Sequence, residues 1–189
     1  MKIKPASRKG QVVVELKSKE EGLLNPLAFR LQRILVPVDF SSTSRKALQY
    51  AVPFATAFDA KVTVLHVIQP YTAAPELGYM PPELVASQRD LANSVREELG
   101  RLCQREFGTG ARFQVQVCEG VPWQEITTAA CESDADLIIL ATHGRTGLKH
   151  VLLGSVTERV VRHAPCPVLV VRARERDFIP SGARDDLAK

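Results

Sequence analysis

The middle of the chain alternates strand-like and helix-like segments, and this alternation constrains the fold more than any other feature. Short apolar or β-branched runs, typical of strands, lie at residues 34–38, 61–67, 112–117, 136–141 and 167–171. Segments with helical spacing or a helix-start signal lie between them, at residues 47–58, 83–106, 122–132 and 155–162. This order predicts an α/β fold, a doubly wound sheet of five parallel strands in the order 3-2-1-4-5 with helices on both faces.

A sheet of this order has a switch point between its first and fourth strands, and ligands bind beyond the carboxyl ends of the strands at that point. Two stretches of the sequence come out there. Asp39 follows the first strand, and a polar loop begins after Ala141, at the end of the fourth. The sequence therefore places its candidate binding site between Asp39 and that loop.

Length and composition describe an ordinary globular chain with a charged end. The 189 residues correspond to about one domain, and 45% hydrophobic with 24% charged residues argue against a disordered or fibrous chain. Residues 1–33 hold eight basic and three acidic residues, a net charge of +5, whereas the remaining residues carry 17 basic and 18 acidic, or −1. Because the positive excess lies on a terminal segment and not on a folded face, we do not expect nucleic acid as a partner.

We expect three parts in the chain: a basic, flexible N-terminal extension over residues 1–31, an α/β domain over 32–172, and a charged tail over 173–189. Within the extension, residues 11–16 form a strand-like run. The extension as a whole either is solvated or binds an acidic partner or a membrane surface. No apolar run approaches the roughly 18 residues of a membrane helix, and no apolar segment of a secretory signal follows the N-terminus. We therefore expect a cytoplasmic protein.

The histidines and cysteines show no spacing typical of a metal or catalytic site. The cysteines form no C-x-x-C pair, and we interpret them as structural thiols of a reducing compartment: Cys103, Cys118, Cys131 and Cys166. His66, inside the second predicted strand, is interpreted as a core histidine with its hydrogen bonds satisfied. His143 lies in the polar loop, but no partner is placed to form a triad with it. We predict no catalytic residue and no metal held by protein side chains.

The loop after the fourth strand has the composition of a phosphate cradle. Gly144 and Gly147 allow backbone N–H groups to approach an anion, and the pair 154–155 (GS) opens a helix whose N-terminus favours phosphate. Arg145 and Lys149 add positive charge. The alternative is that the glycines only make turns and that residues 155–158 (SVTE) form a capping box, which needs no ligand. Neither a Walker A loop nor the dinucleotide-binding G-x-G-x-x-G occurs here.

Asp39 has two interpretations as well. Its carboxylate can accept hydrogen bonds from an adenine amino group or from a ribose hydroxyl. It can equally cap the following helix, because it lies two residues before Ser41, a candidate N-cap.

Three parts of the sequence resemble the universal stress protein family. Residues 33–41 (RILVPVDFS) are similar to the opening strand of these proteins. Residues 141–147 (ATHGRTG) and 153–160 (LGSVTERV) are similar to their signature loop and helix, and residues 163–171 (HAPCPVLVV) to their closing strand. The order and spacing also agree, and the resemblance covers about residues 32–172.

The resemblance implies an α/β protein that binds an adenine nucleotide (ATP, AMP or ADP), is often dimeric, and responds to stress and growth arrest. The nucleotide-binding branch carries G-x-x-G, nine residues and then G-[ST]. Gly144, Gly154 and Ser155 match the later part of this pattern, whereas Ala141 replaces its first glycine. The extra methyl group lies where the backbone would approach the ligand, so the departure leaves binding open.

The resemblance and the loop together predict a set of nucleotide-binding residues. By position in the family pattern, the first of them would line the adenosine, Val67 would offer backbone groups to the adenine, and the glycine loop would surround the ribose and phosphates. The full set is Pro37, Val38, Asp39, Val67, Ala141, His143, Gly144, Arg145, Gly147, Gly154, Ser155, Val156 and Thr157.

Three classes of function stay open. The first, which we favour, is a regulatory module whose occupancy by ATP is read by partners. The second is slow ATP hydrolysis or self-phosphorylation on Ser155 or Thr157, for which no base is identified. The third is an interaction module that has lost its nucleotide. Mg²⁺ would accompany ATP through its phosphates.

The last strand, Val168–Val171, would lie at an edge of the sheet. An apolar edge invites pairing with another chain, and two-fold antiparallel pairing would give a closed homodimer. The resemblance points the same way. The alternative is that the charged segment 172–177 covers the edge.

Overall fold

The computed structural model describes residues 2–5, 12–15, 30–69, 82–108, 112–142 and 153–174. The chain divides into two compact units, Met1–Arg30 and Leu31–Lys189. In the first unit, strands β1 (Lys2–Pro5) and β2 (Val12–Glu15) pair antiparallel, with Lys2 opposite Glu15. The sequence analysis predicted a strand-like run only at residues 11–16, which corresponds to β2, so β1 was missed.

The second unit is built on a sheet of five parallel strands. They are β3 (Arg33–Pro37), β4 (Lys61–Ile68), β5 (Phe113–Glu119), β6 (Leu137–Ala141) and β7 (Val168–Val171). Their spatial order is β5-β4-β3-β6-β7. Counted from β3 this is the order 3-2-1-4-5, so the predicted topology is confirmed.

Four helices connect these strands. They are α1 (Ser42–Phe58), α2 (Pro82–Phe107), α3 (Pro122–Glu132) and α4 (Ser155–His163). Buried side chains of α1 and α2 share one core cluster and those of α3 and α4 another, so the helices cover both faces of the sheet as predicted. In the described part of the chain, none of these helices combines the length and apolar character needed to cross a membrane.

The strands alternate their side chains between the two clusters. On β3, Leu35 packs with α3 and α4, whereas Val36 packs with α1 and α2. On β4, Leu65 and Val64 divide in the same way. This period of two explains why the central strands are continuous apolar runs: a strand buried on both faces has no polar side.

The sheet opens between β3 and β6. The β3–β4 pairing continues to Pro37 opposite Leu65, whereas the β3–β6 pairing ends at Leu35 opposite Ile138. β6 continues beside β7 to its last residue, Ala141. The two central strands therefore part before their carboxyl ends, which is the opening expected at a switch point.

Candidate functional site

A cleft of about 630 Å³ lies where the central strands part. The structure brings together nine of the predicted site residues in its walls: Pro37, Val38, Asp39, Val67, Ala141, Gly154, Ser155, Val156 and Thr157. Their role in binding stays a prediction. The other predicted site residues, His143, Gly144, Arg145 and Gly147, lie outside the described residues.

The first wall of the cleft is the turn from β3 into α1. Ser41 is the N-cap of α1, and its Oγ accepts a hydrogen bond from the Ser44 N–H at 3.1 Å. Asp39 Oδ1 accepts from the Ser41 N–H at 3.1 Å and from the Ser41 hydroxyl at 2.6 Å. The capping interpretation of Asp39 is therefore correct for Oδ1, which acts through Ser41. A carboxylate has about four acceptor positions, so this duty does not exclude contact with a ligand.

Phe40 and His66 form an aromatic contact on the same side of the cleft. Phe40 has φ of +64°, a left-handed conformation that costs a non-glycine residue about 1–2 kcal/mol. Its ring centre lies 4.9 Å from that of His66, whose Nδ1 is 2.7 Å from the Val38 carbonyl oxygen. The prediction of a satisfied histidine holds for Nδ1. The ring, however, is half-buried and lines the cleft instead of lying inside the core.

The second wall is the start of α4. Gly154 is its N-cap, with φ of −65° and ψ of 152°, and none of the described side chains caps the helix. The Thr157 side chain is buried and turns toward β6, where its hydroxyl lies 2.8 Å from the Ala141 carbonyl oxygen and 3.3 Å from that of Thr142. The first N–H groups of α4 therefore have no side-chain acceptor within the described residues, and the helix dipole adds positive potential there.

The capping-box alternative for residues 155–158 is wrong. The N-cap position falls on Gly154, so Ser155 is already the first helical residue. Glu158 forms an ion pair with Arg162 one turn later, at 2.8 Å. The S-x-x-E pattern is present but begins one position too late to close on itself.

Thr142 joins this wall to the last strand. Its N–H donates to the Val171 carbonyl at 2.9 Å, and its own carbonyl accepts from the Gly154 N–H at 2.8 Å. Thr142 is buried and lines the cleft. The sequence analysis did not single it out, although a polar residue directly after a buried strand is a recognisable signal.

A third side of the cleft comes from α2 and α3, which the sequence analysis assigned only to packing. Leu91, Val95 and Glu98 of α2 line the cleft together with Pro122 and Ile126 of α3. Along α2, Leu99 and Leu102 are buried, whereas Leu91 is 50% exposed. The apolar side of α2 therefore packs in the core at its C-terminal half and lines the cleft nearer its N-terminal half.

Three of the cysteines lack the features of a reactive thiol. Burial raises the pKa of the Cys103 thiol to about 12. Burial also raises the pKa values of Cys118 and Cys166, with the negative charges of Glu125 and Asp136 respectively as a further cause. Because the thiolate is the reactive form, these three side chains behave as the small apolar groups that the sequence suggested.

The charged and polar groups of the cleft suit an uncharged or anionic organic ligand better than a bare metal ion. Across the described residues, no group of three or more histidine, cysteine or acidic side chains could hold a metal. The α4 N-terminus offers N–H donors, while Asp39 and Glu98 offer acceptors on the other walls. A ligand with an anionic end and a hydrogen-bond-donating end fits this distribution.

The family model of the universal stress protein family matches residues 30–172. A universal stress protein of Methanocaldococcus jannaschii, MJ0531, is 36% identical over 148 residues, which cover 77% of this chain and 85% of that protein.

Solved structures show the same fold. Universal stress protein UspA from Lactobacillus plantarum has a TM-score of 0.64 and 29% identity, covering 76% of this chain and 99% of that chain. A universal stress protein in complex with cAMP has a TM-score of 0.56 and 23% identity, covering 76% of this chain and 98% of that chain. The second likeness concerns the fold alone.

Proposed function

The chain belongs to the universal stress protein family, and on this premise we propose that its cleft binds an adenine nucleotide, with ATP as the expected ligand. Occupancy of the cleft would regulate what the protein contacts. Mg²⁺ would enter with the phosphates of ATP, since the described residues contain no metal cluster of their own.

The observation that carries this proposal is the start of α4. A helix N-terminus that lines a cleft and lacks a side-chain cap is a suitable place for phosphate, because its N–H groups need acceptors. Gly154 presents no side chain that would stand between these groups and a ligand. We assign the phosphates to residues 154–157, together with Gly144, Arg145 and Gly147 of the preceding loop.

The adenosine would lie at the other end of the cleft, beside Asp39 and Val67. The half-buried Val67 and the apolar residues of α2 and α3 offer contact area for a purine ring. The Asp39 carboxylate offers an acceptor for a ribose hydroxyl or for the amino group of adenine.

The presence of Ala141 in place of the first glycine of the family pattern was the reason to consider a site that has lost its nucleotide. Its side chain belongs to the cluster under α1 and α2, and its carbonyl accepts the hydroxyl of Thr157. The cleft is open beside it. These observations support retained binding over the interaction module without nucleotide.

The site also separates the two candidate acceptors for self-phosphorylation. The Thr157 hydroxyl is buried and donates to backbone carbonyls, so it is poorly placed to attack a phosphate. Ser155 is exposed at the first helical position and is the better acceptor of the two. We propose a regulatory module in the first place, with any phosphoryl transfer confined to Ser155.

A homodimer through β7 forms part of the proposal. β7 is an outer strand of the sheet, and Val168, Leu169 and Val170 are each only half-buried. Antiparallel pairing with a second copy would cover these side chains and the strand edge on which no described strand pairs with β7. The four cysteines are unpaired thiols, which supports a reducing compartment such as the cytoplasm.

The test is to purify the protein without added nucleotide, denature it and identify any released nucleotide by mass. ATP is then titrated calorimetrically into the wild type, Asp39→Asn and Gly154→Val. Asp39→Asn keeps an Oδ1 acceptor for Ser41 but removes the charge, and we expect about tenfold weaker binding. Gly154→Val places a branched side chain at the phosphate end, and we expect binding to be lost.

Asp134→Asn is the matched control. Asp134 is also a carboxylate beside a strand, but it pairs with Arg33 at the amino end of β3, away from the cleft. This variant should bind ATP like the wild type. If the folded wild type releases no nucleotide and binds no ATP at millimolar concentration, the proposed function is wrong.

A further inference from the structure

His66 has one ring nitrogen whose chemistry is fixed by the backbone. Nδ1 lies 2.7 Å from the carbonyl oxygen of Val38. A carbonyl oxygen only accepts hydrogen bonds, so Nδ1 must carry the proton. In the neutral ring, Nε2 is then an acceptor. The neighbouring backbone hydrogen bond, from the Val38 N–H to the Leu65 carbonyl at 2.8 Å, fixes Val38 against β4. The sheet therefore sets the orientation of the His66 ring.

The second nitrogen faces a different situation. Within the described part of the chain, Nε2 makes no hydrogen bond, and no side-chain nitrogen or oxygen there is both unbonded and shut off from solvent. His66 is half-buried and lines the cleft. Nε2 is therefore not shut off from solvent, and it belongs to a side chain that lines the cleft.

Phe40 holds the ring in this position at a cost. Its left-handed backbone is fixed by the Asp39–Ser41 hydrogen bonds on either side of it, and its ring packs against His66 at 4.9 Å. Backbone strain that the surrounding structure maintains is concentrated at functional sites. The Phe40–His66 contact is thus a built arrangement of the cleft wall.

We propose that His66 is a specificity-determining residue of the cleft, whose Nε2 accepts a hydrogen bond from a donor group of the bound nucleotide. This inference rests on the proposed function and adds a selection to it. The donor is either the exocyclic amino group of the base or a ribose hydroxyl. Both are hydrogen-bond donors of one ligand, and the experiment below separates them.

Two variants separate the two nitrogens. His66→Asn keeps an amide N–H near the position of Nδ1, so it preserves the bond to Val38 and removes Nε2. His66→Gln places its amide oxygen near the position of Nε2 and gives up the bond to Val38. His66→Asn therefore tests whether Nε2 recognises the nucleotide while the bond to Val38 is kept. His66→Gln tests whether an acceptor near the position of Nε2 restores that recognition. Thermal unfolding of the two variants shows how much the bond to Val38 contributes to stability.

The experiment titrates ATP, purine riboside triphosphate and 2′-deoxy-ATP into the wild type and both variants at pH 8. We expect the wild type at pH 8 to bind ATP about tenfold more tightly than one of the two analogues, the size of one hydrogen bond. His66→Asn should bind ATP and that analogue equally, and His66→Gln should recover part of the difference. Loss against the purine riboside assigns the amino group, and loss against the deoxynucleotide assigns the hydroxyl.

Two results overturn the proposal. One is a wild type that binds ATP but does not discriminate against either analogue, which leaves nucleotide binding standing. The other is discrimination that His66→Asn retains in full. A folded wild type that binds no ATP overturns the proposed function, and this inference with it. Should His66→Asn fail to fold, the analogue series on the wild type and His66→Gln decides the question.

Discussion

Two of the helices that begin at the cleft, α1 and α4, begin in opposite ways. α1 is closed by side chains at its start: Ser41 caps it, and Asp39 and Ser44 hold Ser41. Within the described residues α4 begins at Gly154 without a side-chain cap, and the Thr157 hydroxyl donates to the Ala141 carbonyl. The N-terminus of α3 also lacks a side-chain cap, but its first residue, Pro122, has no N–H to offer. An uncapped helix N-terminus leaves its N–H groups available to a ligand, so α4 is the candidate anion site and α1 supports the wall opposite.

The strongest way to break this difference is to give α4 the cap that it lacks. Gly154→Asp would supply an acceptor for the free N–H groups and a charge that suits the helix dipole, raising the free energy of unfolding by about 0.5 kcal/mol. The same carboxylate would repel phosphate, and we expect ATP affinity to fall roughly 100-fold. Calorimetry and urea unfolding measure the two effects.

Gly154→Asn is the control for charge, because it caps without a negative charge and should weaken ATP binding less. Unchanged affinity in Gly154→Asp would show that the α4 N-terminus is not the phosphate site.

Removing the Thr157 hydroxyl tests how much its hydrogen bond to the Ala141 carbonyl stabilises the start of α4. Thr157→Val keeps the volume but leaves the Ala141 carbonyl without its buried donor, and we expect a loss of about 2 kcal/mol in the free energy of unfolding. Thr127→Val is the matched control, because the Thr127 hydroxyl also donates to backbone carbonyls but lies on α3 outside the cleft. Urea unfolding of both variants decides the matter. Equal losses would mean that the Thr157 bond has no special weight.

The smallest expected effect is on the closed helix. Ser41→Ala removes the cap of α1 and should cost about 1 kcal/mol of stability. At 25 °C the variant is still folded, so ATP affinity should change less than threefold. A loss of affinity as large as that of Gly154→Asp would mean that both helix starts bind the ligand and that the contrast between them is false.

The sequence was sufficient for the architecture because the signals there are redundant. The run 34–38 is apolar on both faces, and such a strand has one place in an α/β sheet, the centre. The alternation of segments then fixes the connections, and their handedness fixes the order. Asp39 could be placed at the site for the same reason, since it follows the central strand β3 closely, whereas Gly154 was placed there by the loop pattern that begins after β6.

The burial of individual side chains was harder to predict than the elements themselves. The apolar pattern of a helix or strand does not show which of its residues lie beyond the edge of the core. Leu91 and Leu99 are eight residues apart on α2 and lie on the same side of the helix, but only Leu99 is buried. His66 looks like a core residue because its neighbours are apolar, yet it lies where β4 continues past the end of β3. The start of α4 at residue 155 was predicted correctly, but the capping-box alternative placed the cap on Ser155 because S-x-x-E describes a local pattern. The N-cap is Gly154, whose N–H donates to the Thr142 carbonyl.

The peptide units around Thr142 have a mechanical consequence. One residue holds the end of the outer strand through its N–H and the start of α4 through its carbonyl. We expect a displacement of β7 at this end to be transmitted through Thr142 to the start of α4. The position of the outer strand and the width of the cleft would then be mechanically coupled at this residue.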